Sequence, residues 1–270
     1  SNDMIEINKI YNESNLETMS RMPDCFVDLT VTSPPYDNLR EYKGYSFPFE
    51  NIAKELYRVT KEGGVLVWVV GDAVINGSES GTSFKQALFF MQCGFNLHDT
   101  MIYRKKQCPF PMSNRYNQVF EYMFILSKGK PKTTNLIKVK TKYDISELGK
   151  KSNHTTRNND GSQSSMKYDM NKEFKTKDNV WEYGNGIGQT TNDEIAFKHP
   201  AQFPEDLAKE HIHSWSNEGD LVYDCFMGSG TTAKMAHLQK RNWIGSEMSK
   251  EYCEIAEKRI KPYLEQTRLF

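Results

Sequence analysis

Two short stretches of this 270-residue chain hold residue types that could do chemistry together. The first is Ser33-Pro34-Pro35-Tyr36. Successive prolines fix the backbone and remove two N–H donors, so the Pro34 carbonyl is offered as an acceptor in a rigid turn. The Ser33 hydroxyl is a second acceptor, and Tyr36 supplies an aromatic face. Two acceptors beside a ring suit an aromatic amine, whose NH2 gives two hydrogens and whose ring stacks. The lone pair of such an amine is delocalised into its ring, which makes it a poor nucleophile. Accepting both hydrogens draws the nitrogen toward a tetrahedral form and frees the pair to attack a sulfonium methyl group. A proline turn after a strand is the plainer reading, and it weakens because of the second stretch.

The second stretch is Asp224-Cys225-Phe226-Met227-Gly228-Ser229-Gly230-Thr231-Thr232, between an expected strand and an expected helix. Glycines there let the backbone approach a ligand closely, and a helix start offers free N–H groups. A lone Gly-x-Gly also suits an ordinary strand-to-helix turn. Glu247 tips the balance: it closes a second strand about 20 residues on, the reach of a carboxylate that bonds ribose hydroxyls. The loop has neither the lysine of a P-loop nor the third glycine of the dinucleotide fingerprint. The expected ligand therefore carries a nucleoside without a pyrophosphate, and S-adenosylmethionine fits that description.

These motifs need a frame, and the hydrophobic pattern supplies one. Residues 4–11 and 26–32 read as strands, the second running directly into Ser33. Ser14 and Glu17 have capping-box spacing, so a short helix is expected to about Met22. Phe49, Ile52, Ala53, Leu56 and Val59 have helical spacing until Gly63-Gly64 breaks it. The run 65–70, Val-Leu-Val-Trp-Val-Val, is that of a strand buried on both faces of a parallel sheet. A helix over about 82–93 and β-rich stretches near 97–104 and 119–127 follow. After Pro204 come a helix with Leu207, Ala208, His211 and Ile212 on one face, a strand at 221–223, a helix over about 231–239, a strand at 242–246 and a helix over 250–264. Such alternation argues a doubly wound α/β sheet.

Residues 128–195 interrupt it. They are rich in Lys, Asn, Ser, Thr and Gly and poor in aliphatics, so they read as an insertion of loops and short elements or as partly disordered chain. The division expected is 4–127, 128–195 and 196–270. Formal net charge is zero, which counts against a protein that coats nucleic acid non-specifically. The five cysteines are scattered, without a CxxC pair, so neither a disulfide framework nor a metal site is expected, and a cytoplasmic location fits. No apolar run is long enough to span a bilayer.

Together the Ser-Pro-Pro-Tyr turn, the glycine loop and Glu247 resemble the amino-methyltransferases of DNA, the N4-cytosine and N6-adenine enzymes. The order, catalytic turn first and glycine loop near the C-terminus, resembles the family's β-type circular arrangement. The resemblance implies a Rossmann-like seven-stranded methyltransferase sheet, circularly permuted and mostly parallel, with an inserted target-recognition segment. It implies catalysis by Ser33, Pro34, Pro35 and Tyr36. It implies an S-adenosylmethionine pocket formed by Asp224, Phe226, Gly228, Ser229, Gly230 and Thr231, with Glu247 on the ribose, Glu13 near the adenine, and Pro200, Ala201 and Phe203 toward the methionine end. Departures are Cys225 where the family usually has proline, Ala201 and Phe203 where Thr and Lys are common, and Asn12-Glu13 where Gly-Asp is usual.

The implied substrate is double-stranded DNA, with cytosine N4 favoured over adenine N6 because Ser rather than Asp opens the turn. Lysines of the middle segment, Arg40-Glu41-Tyr42 and Asn76-Gly77-Ser78 are candidate DNA contacts. Related Asn-Pro-Pro-Tyr turns act on protein glutamine or on RNA, and a non-catalytic DNA-binding subunit of the same fold is the reading from another class. A homodimer and a cognate restriction enzyme are left open as partners.

Overall fold

The computed structural model describes residues 3–35, 47–107, 111–169, 172–184 and 203–267. The chain opens with β1 (Lys9–Tyr11), α1 (Asn15–Ser20), β2 (Val27–Thr32), α2 (Phe49–Val59) and β3 (Thr60–Val70). A hairpin of β4 (Val74–Ile75) and β5 (Ser78–Glu79) leads to α3 (Thr82–Cys93), β6 (Asn96–Lys105) and β7 (Phe120–Ser127). Four strands follow: β8 (Lys138–Lys140), β9 (Lys151–Arg157), β10 (Gln163–Asp169) and β11 (Phe174–Thr176). The chain ends with β12 (Val180–Tyr183), α4 (Glu205–Trp215), β13 (Leu221–Asp224), α5 (Thr231–Leu238), β14 (Asn242–Ser246) and α6 (Lys250–Thr267).

The main sheet has the order β1-β14-β13-β2-β3-β7-β6-β12. β7 alone runs antiparallel to its neighbours, β3 and β6. β1 and β14 pair in parallel, Lys9 opposite Ile244, so the first and last strands of the chain meet in the sheet, as a circular permutation requires. The seven expected strands are present. An eighth, β12, is added in parallel to β6, with Trp181 opposite Tyr103. Trp181 and Tyr183 are buried, and a four-residue strand that alternates exposed and buried positions carried too little pattern to stand out from its polar surroundings.

Helices cover both faces. Leu66, Trp68 and Val70 of β3 share a core with Ile52, Leu56 and Val59 of α2 and Phe90 of α3. Val65, Val67 and Val69, alternating with them, are equally buried. Alternate side chains of a strand point to opposite faces, so this strand is dry on both sides, as its uninterrupted apolar run implies. Two boundaries differ from the pattern. β1 starts only at Lys9, because Asn8 has φ 59 and its Oδ1 accepts from Trp243 N–H at 3.0 Å. β3 starts at Thr60, ahead of Gly63-Gly64, because Thr60 already pairs with Val27. Ser14 caps α1, its hydroxyl accepting from Leu16 N–H at 3.2 Å.

Two compact units are distinguished: residues 1–135 with 179–270, which hold the sheet and its helices, and residues 136–178. The second unit consists of the antiparallel pairs β9/β10 and β8/β11 and a short 3-10 turn at Ile145–Glu147. None of its described residues is buried.

Candidate active site

From the centre of the sheet the crossovers run one way from β13 to β14 and the other way from β2 to β3. The point where they diverge lies between β13 and β2, and at the carboxyl ends of such strands α/β sheets form their ligand crevice. Both motifs sit there. Asp224 ends β13 and begins the glycine loop; Thr32 ends β2 and is followed by Ser33.

Asp224 is buried. Its Oδ1 accepts from Thr32 Oγ1 at 2.6 Å and from Phe226 N–H at 3.0 Å. Burial pushes its carboxyl up to about 6, against the pull of the bonds from Thr32, Phe226 and Thr232, and the Glu247 charge adds to the rise. Glu247, just past β14, is also buried. Its Oε1 accepts from Gly228 N–H at 3.0 Å and its Oε2 from Ser249 N–H at 2.7 Å. The loop N–H that the sequence suggests for a ligand is therefore held by the carboxylate that was expected to share the pocket with it.

A pocket of about 130 Å³, open to solvent on one side, lies between these segments. Its walls include Glu13, Pro35, Phe226 and Glu247, four of the residues singled out by sequence. Glu13 is paired with Arg21, and burial holds its carboxyl above the ordinary value despite that partner. Phe226 packs edge-on against Phe47, with ring centroids 5.2 Å apart. Phe47, Pro48 and Ile52 complete the apolar wall. Ile52, which shows only helical spacing in the sequence, belongs to the core and to the pocket wall alike. Asn12, where the family pattern is broken, and Asn15, the first residue of α1, act as clamps. Asn12 Nδ2 donates to the carbonyls of Glu247 and Met248 at 3.0 and 2.9 Å, and Asn15 Nδ2 donates to the Cys225 carbonyl at 3.1 Å.

Other expected residues sit elsewhere or turn away. The Ser229 and Thr231 hydroxyls accept from Arg259 Nη1 of α6 at 3.2 and 2.8 Å. Gly230 has φ +86, and a Cβ there would come within 2.9 Å of Ala256 Cβ, so it is required for helix packing. Pro34 is buried, while Ser33 and Pro35 are half-buried. Phe203 precedes α4 and is not among the described residues that line this pocket. Tyr36, Pro200 and Ala201 lie outside the described residues, as do Arg40, Glu41 and Tyr42. Asn76-Gly77 forms the exposed tip of the β4/β5 hairpin, where Gly77 O accepts from Arg115 Nη2 at 2.6 Å. Among the described residues no group of three His, Cys, Asp or Glu could hold a metal ion, and no helix is long and apolar enough to cross a membrane.

The sequence profile of the DNA methylase family matches residues 27–258, a span that includes both the proline turn and the glycine loop. The chain belongs to that family. The methylase is 60% identical over 243 residues to the orphan methyltransferase M.BamHII of Bacillus amyloliquefaciens, an alignment that covers 89% of this chain and 91% of the relative. Among solved structures it resembles the PvuII DNA methyltransferase, described as cytosine-N4-specific, with TM-score 0.67, 21% identity and coverage of 97% and 93% of the two chains. It also resembles M1.HpyAVI, solved as a complex with SAM, with TM-score 0.59, 24% identity and coverage of 93% and 98%. At these identities the likeness to the solved structures establishes the methylase's fold.

Proposed function

We propose that this methylase transfers the methyl group of S-adenosylmethionine to an exocyclic amine of double-stranded DNA, with cytosine N4 as the favoured position. The observation that carries the reading is a single pocket lined by Pro35 of the acceptor turn and by Glu13, Phe226 and Glu247. The described lining offers two carboxylates and no Lys or Arg. That chemistry suits a cationic ligand with hydroxyl donors better than a polyphosphate. S-adenosylmethionine, when bound, supplies an electrophilic methyl group.

The protein's own groups would act as follows. Glu247 accepts from the ribose hydroxyls, while Phe226 and the apolar wall of Phe47 and Ile52 flank the adenine. Ser33 Oγ and the Pro34 carbonyl accept the two amino hydrogens and hold the nitrogen where its lone pair faces the methyl carbon. Tyr36 stacks on the target base, which is taken out of the duplex. The Asp224–Thr32 bond holds the two halves of the site in register.

The test is transfer of a labelled methyl group to duplex DNA, RNA and protein extract, followed by digestion of the product to nucleosides and mass spectrometry. Label in DNA as N4-methylcytosine is the expected result. Label in N6-methyladenine alone overturns the base, label only in RNA or protein overturns the substrate, and no transfer at all overturns the enzymatic reading.

A further inference from the structure

We propose that Arg259 of α6, anchored by Glu205 of α4, is a positioning residue that holds the glycine loop in its ligand-binding shape; this rests on the reading of S-adenosylmethionine as the ligand of the pocket.

The loop has little shape of its own. Gly228 has φ 55 and Gly230 has φ 86, one on each side of Ser229. Glycine takes positive φ about as readily as negative, so neither residue selects this conformation over others. Ties from outside must select it. One tie is Glu247, whose Oε1 accepts from Gly228 N–H at 3.0 Å. The residues that follow are tied by Arg259. Its Nη1 donates to the Ser229 carbonyl at 3.3 Å, to Ser229 Oγ at 3.2 Å and to Thr231 Oγ1 at 2.8 Å. The same helix packs against Gly230, where an added Cβ would meet Ala256 Cβ at 2.9 Å.

The guanidinium is itself held. The Arg259 side chain is 0% exposed, and its Nη2 donates to Glu205 Oε1 at 2.9 Å. Glu205 is the first residue of α4. It also accepts from Lys234 Nζ of α5 at 2.7 and 3.1 Å. One carboxylate thus joins α4, α5 and α6 beside the loop.

Stability alone does not account for this arrangement. Taking charges out of water is costly, and a buried ion pair often holds a fold no better than apolar side chains of the same volume. Arg259 also stands at the first turn of α5, and the amino end of a helix is the end that disfavours a cation. What the guanidinium offers is shape. It is a planar fork of donors that reaches Glu205 and the loop at once. An ammonium in its place is a compact point charge and would serve one end or the other.

The test uses the full chain. It reads S-adenosylmethionine affinity by calorimetry, stability by urea unfolding, and KM and kcat for methyl transfer. R259K keeps a cation beside Glu205 and gives up the fork. It should bind S-adenosylmethionine about tenfold more weakly. KM for the cofactor should rise by a similar factor, with kcat at saturation within about twofold of wild type. K234M breaks the Lys234–Glu205 pair and leaves Arg259 in place, so it should keep wild-type affinity. T231V removes one loop acceptor by a smaller change and should weaken affinity in the same direction. R259K/T231V should lose no more than R259K alone, because both act through one contact. Unchanged affinity in R259K, an equal loss in K234M, or additive losses in the double variant overturn the positioning role. So does a fall in kcat at unchanged KM, which is what a loss of folded enzyme alone produces. Should R259K fail to fold, T231V decides, and wild-type affinity in it overturns the role. In all these outcomes the cofactor reading stands. A wild type that binds no S-adenosylmethionine overturns that reading, and the positioning role with it.

Discussion

The Thr32 hydroxyl donates a 2.6 Å hydrogen bond to Asp224 Oδ1 across 192 positions of sequence, in the buried seam between β2 and β13. Thr32 precedes the acceptor turn and Asp224 begins the glycine loop, so this bond ties the two motifs together, beside the bond from the Thr232 hydroxyl to the Val31 carbonyl at 3.2 Å. The strands also pair directly, Val222 with Leu29 and Tyr223 with Thr30, but that ladder stops short of the site. Beyond it, register is carried by side chains.

Removal of this bond should be felt twice. Thr32→Val leaves a buried carboxylate oxygen with one partner fewer, which costs about 1–3 kcal/mol. The turn also loses its tether to the loop, so methyl transfer should slow by more than S-adenosylmethionine affinity weakens. Thr32→Ser keeps the hydroxyl and should restore most of both. Urea unfolding and single-turnover rates on the three proteins decide it. Equal rates in Val and Ser would show that the bond positions nothing.

Asp224 also sets a pH dependence with a definite sign. Its folded pKa, about 6, lies above the ordinary 3.8, so between those values the folded state binds more protons than the unfolded one. Stability from this group is then fully present below about pH 4, falls as pH rises to about 6, and is flat above, for a total near 3 kcal/mol. Asp224→Asn keeps an oxygen to accept from Thr32 and Phe226 and does not titrate. Relative to wild type, the ligand-free Asn variant should gain stability as pH rises from 4 to 7. A constant difference between the two proteins over that range would contradict the buried-carboxyl account.

Glu247→Ala reaches further than a ligand contact. Both carboxylate oxygens hold backbone N–H groups, of Gly228 and Ser249, and their loss leaves two buried donors unmet at about 1–3 kcal/mol each. The expected outcome is a lower unfolding midpoint together with at least a tenfold loss of S-adenosylmethionine affinity, the equivalent of about 1.4 kcal/mol. Calorimetry beside thermal unfolding separates the two. Unchanged affinity would remove Glu247 from the proposed ribose site and leave it as a loop clamp alone.

The parts of this molecule legible in its sequence are those written locally. The apolar run over 65–70 is buried on both faces, and Leu207, Ala208, His211 and Ile212 form one buried face of α4. Proline and glycine punctuation marks the turn and the loop. What was not legible depends on distant partners. Ser229 and Thr231 look like ligand hydroxyls until Arg259 arrives from α6. Val180–Tyr183 becomes a strand because β6 offers it an edge. Asn12 looks like a departure from a pattern until the carbonyls it holds, of Glu247 and Met248, are in place.

The identity of the methylated base turns on Ser33. A carboxylate at that position could only accept, whereas a hydroxyl both accepts and donates. Serine can take one amino hydrogen and give its own to a neighbouring ring nitrogen such as cytosine N3. Both cytosine and adenine present an amine beside a ring nitrogen, so the pocket must add to the choice. Ser33→Ala removes an acceptor used mainly as the amine changes geometry. It should lower the rate constant of the chemical step and leave S-adenosylmethionine affinity nearly unchanged. Tyr36→Ala should do likewise through lost stacking, which contributes about 1–3 kcal/mol per base. Neither variant names the base. Mass spectrometry of nucleosides from DNA methylated by the wild type does, and the expected product is N4-methylcytosine. N6-methyladenine without N4-methylcytosine would show that a serine-led turn serves adenine here. In that case Ser33→Asp, which restores an acceptor without a donor, should retain activity, whereas a cytosine enzyme that uses the donated hydrogen should lose it.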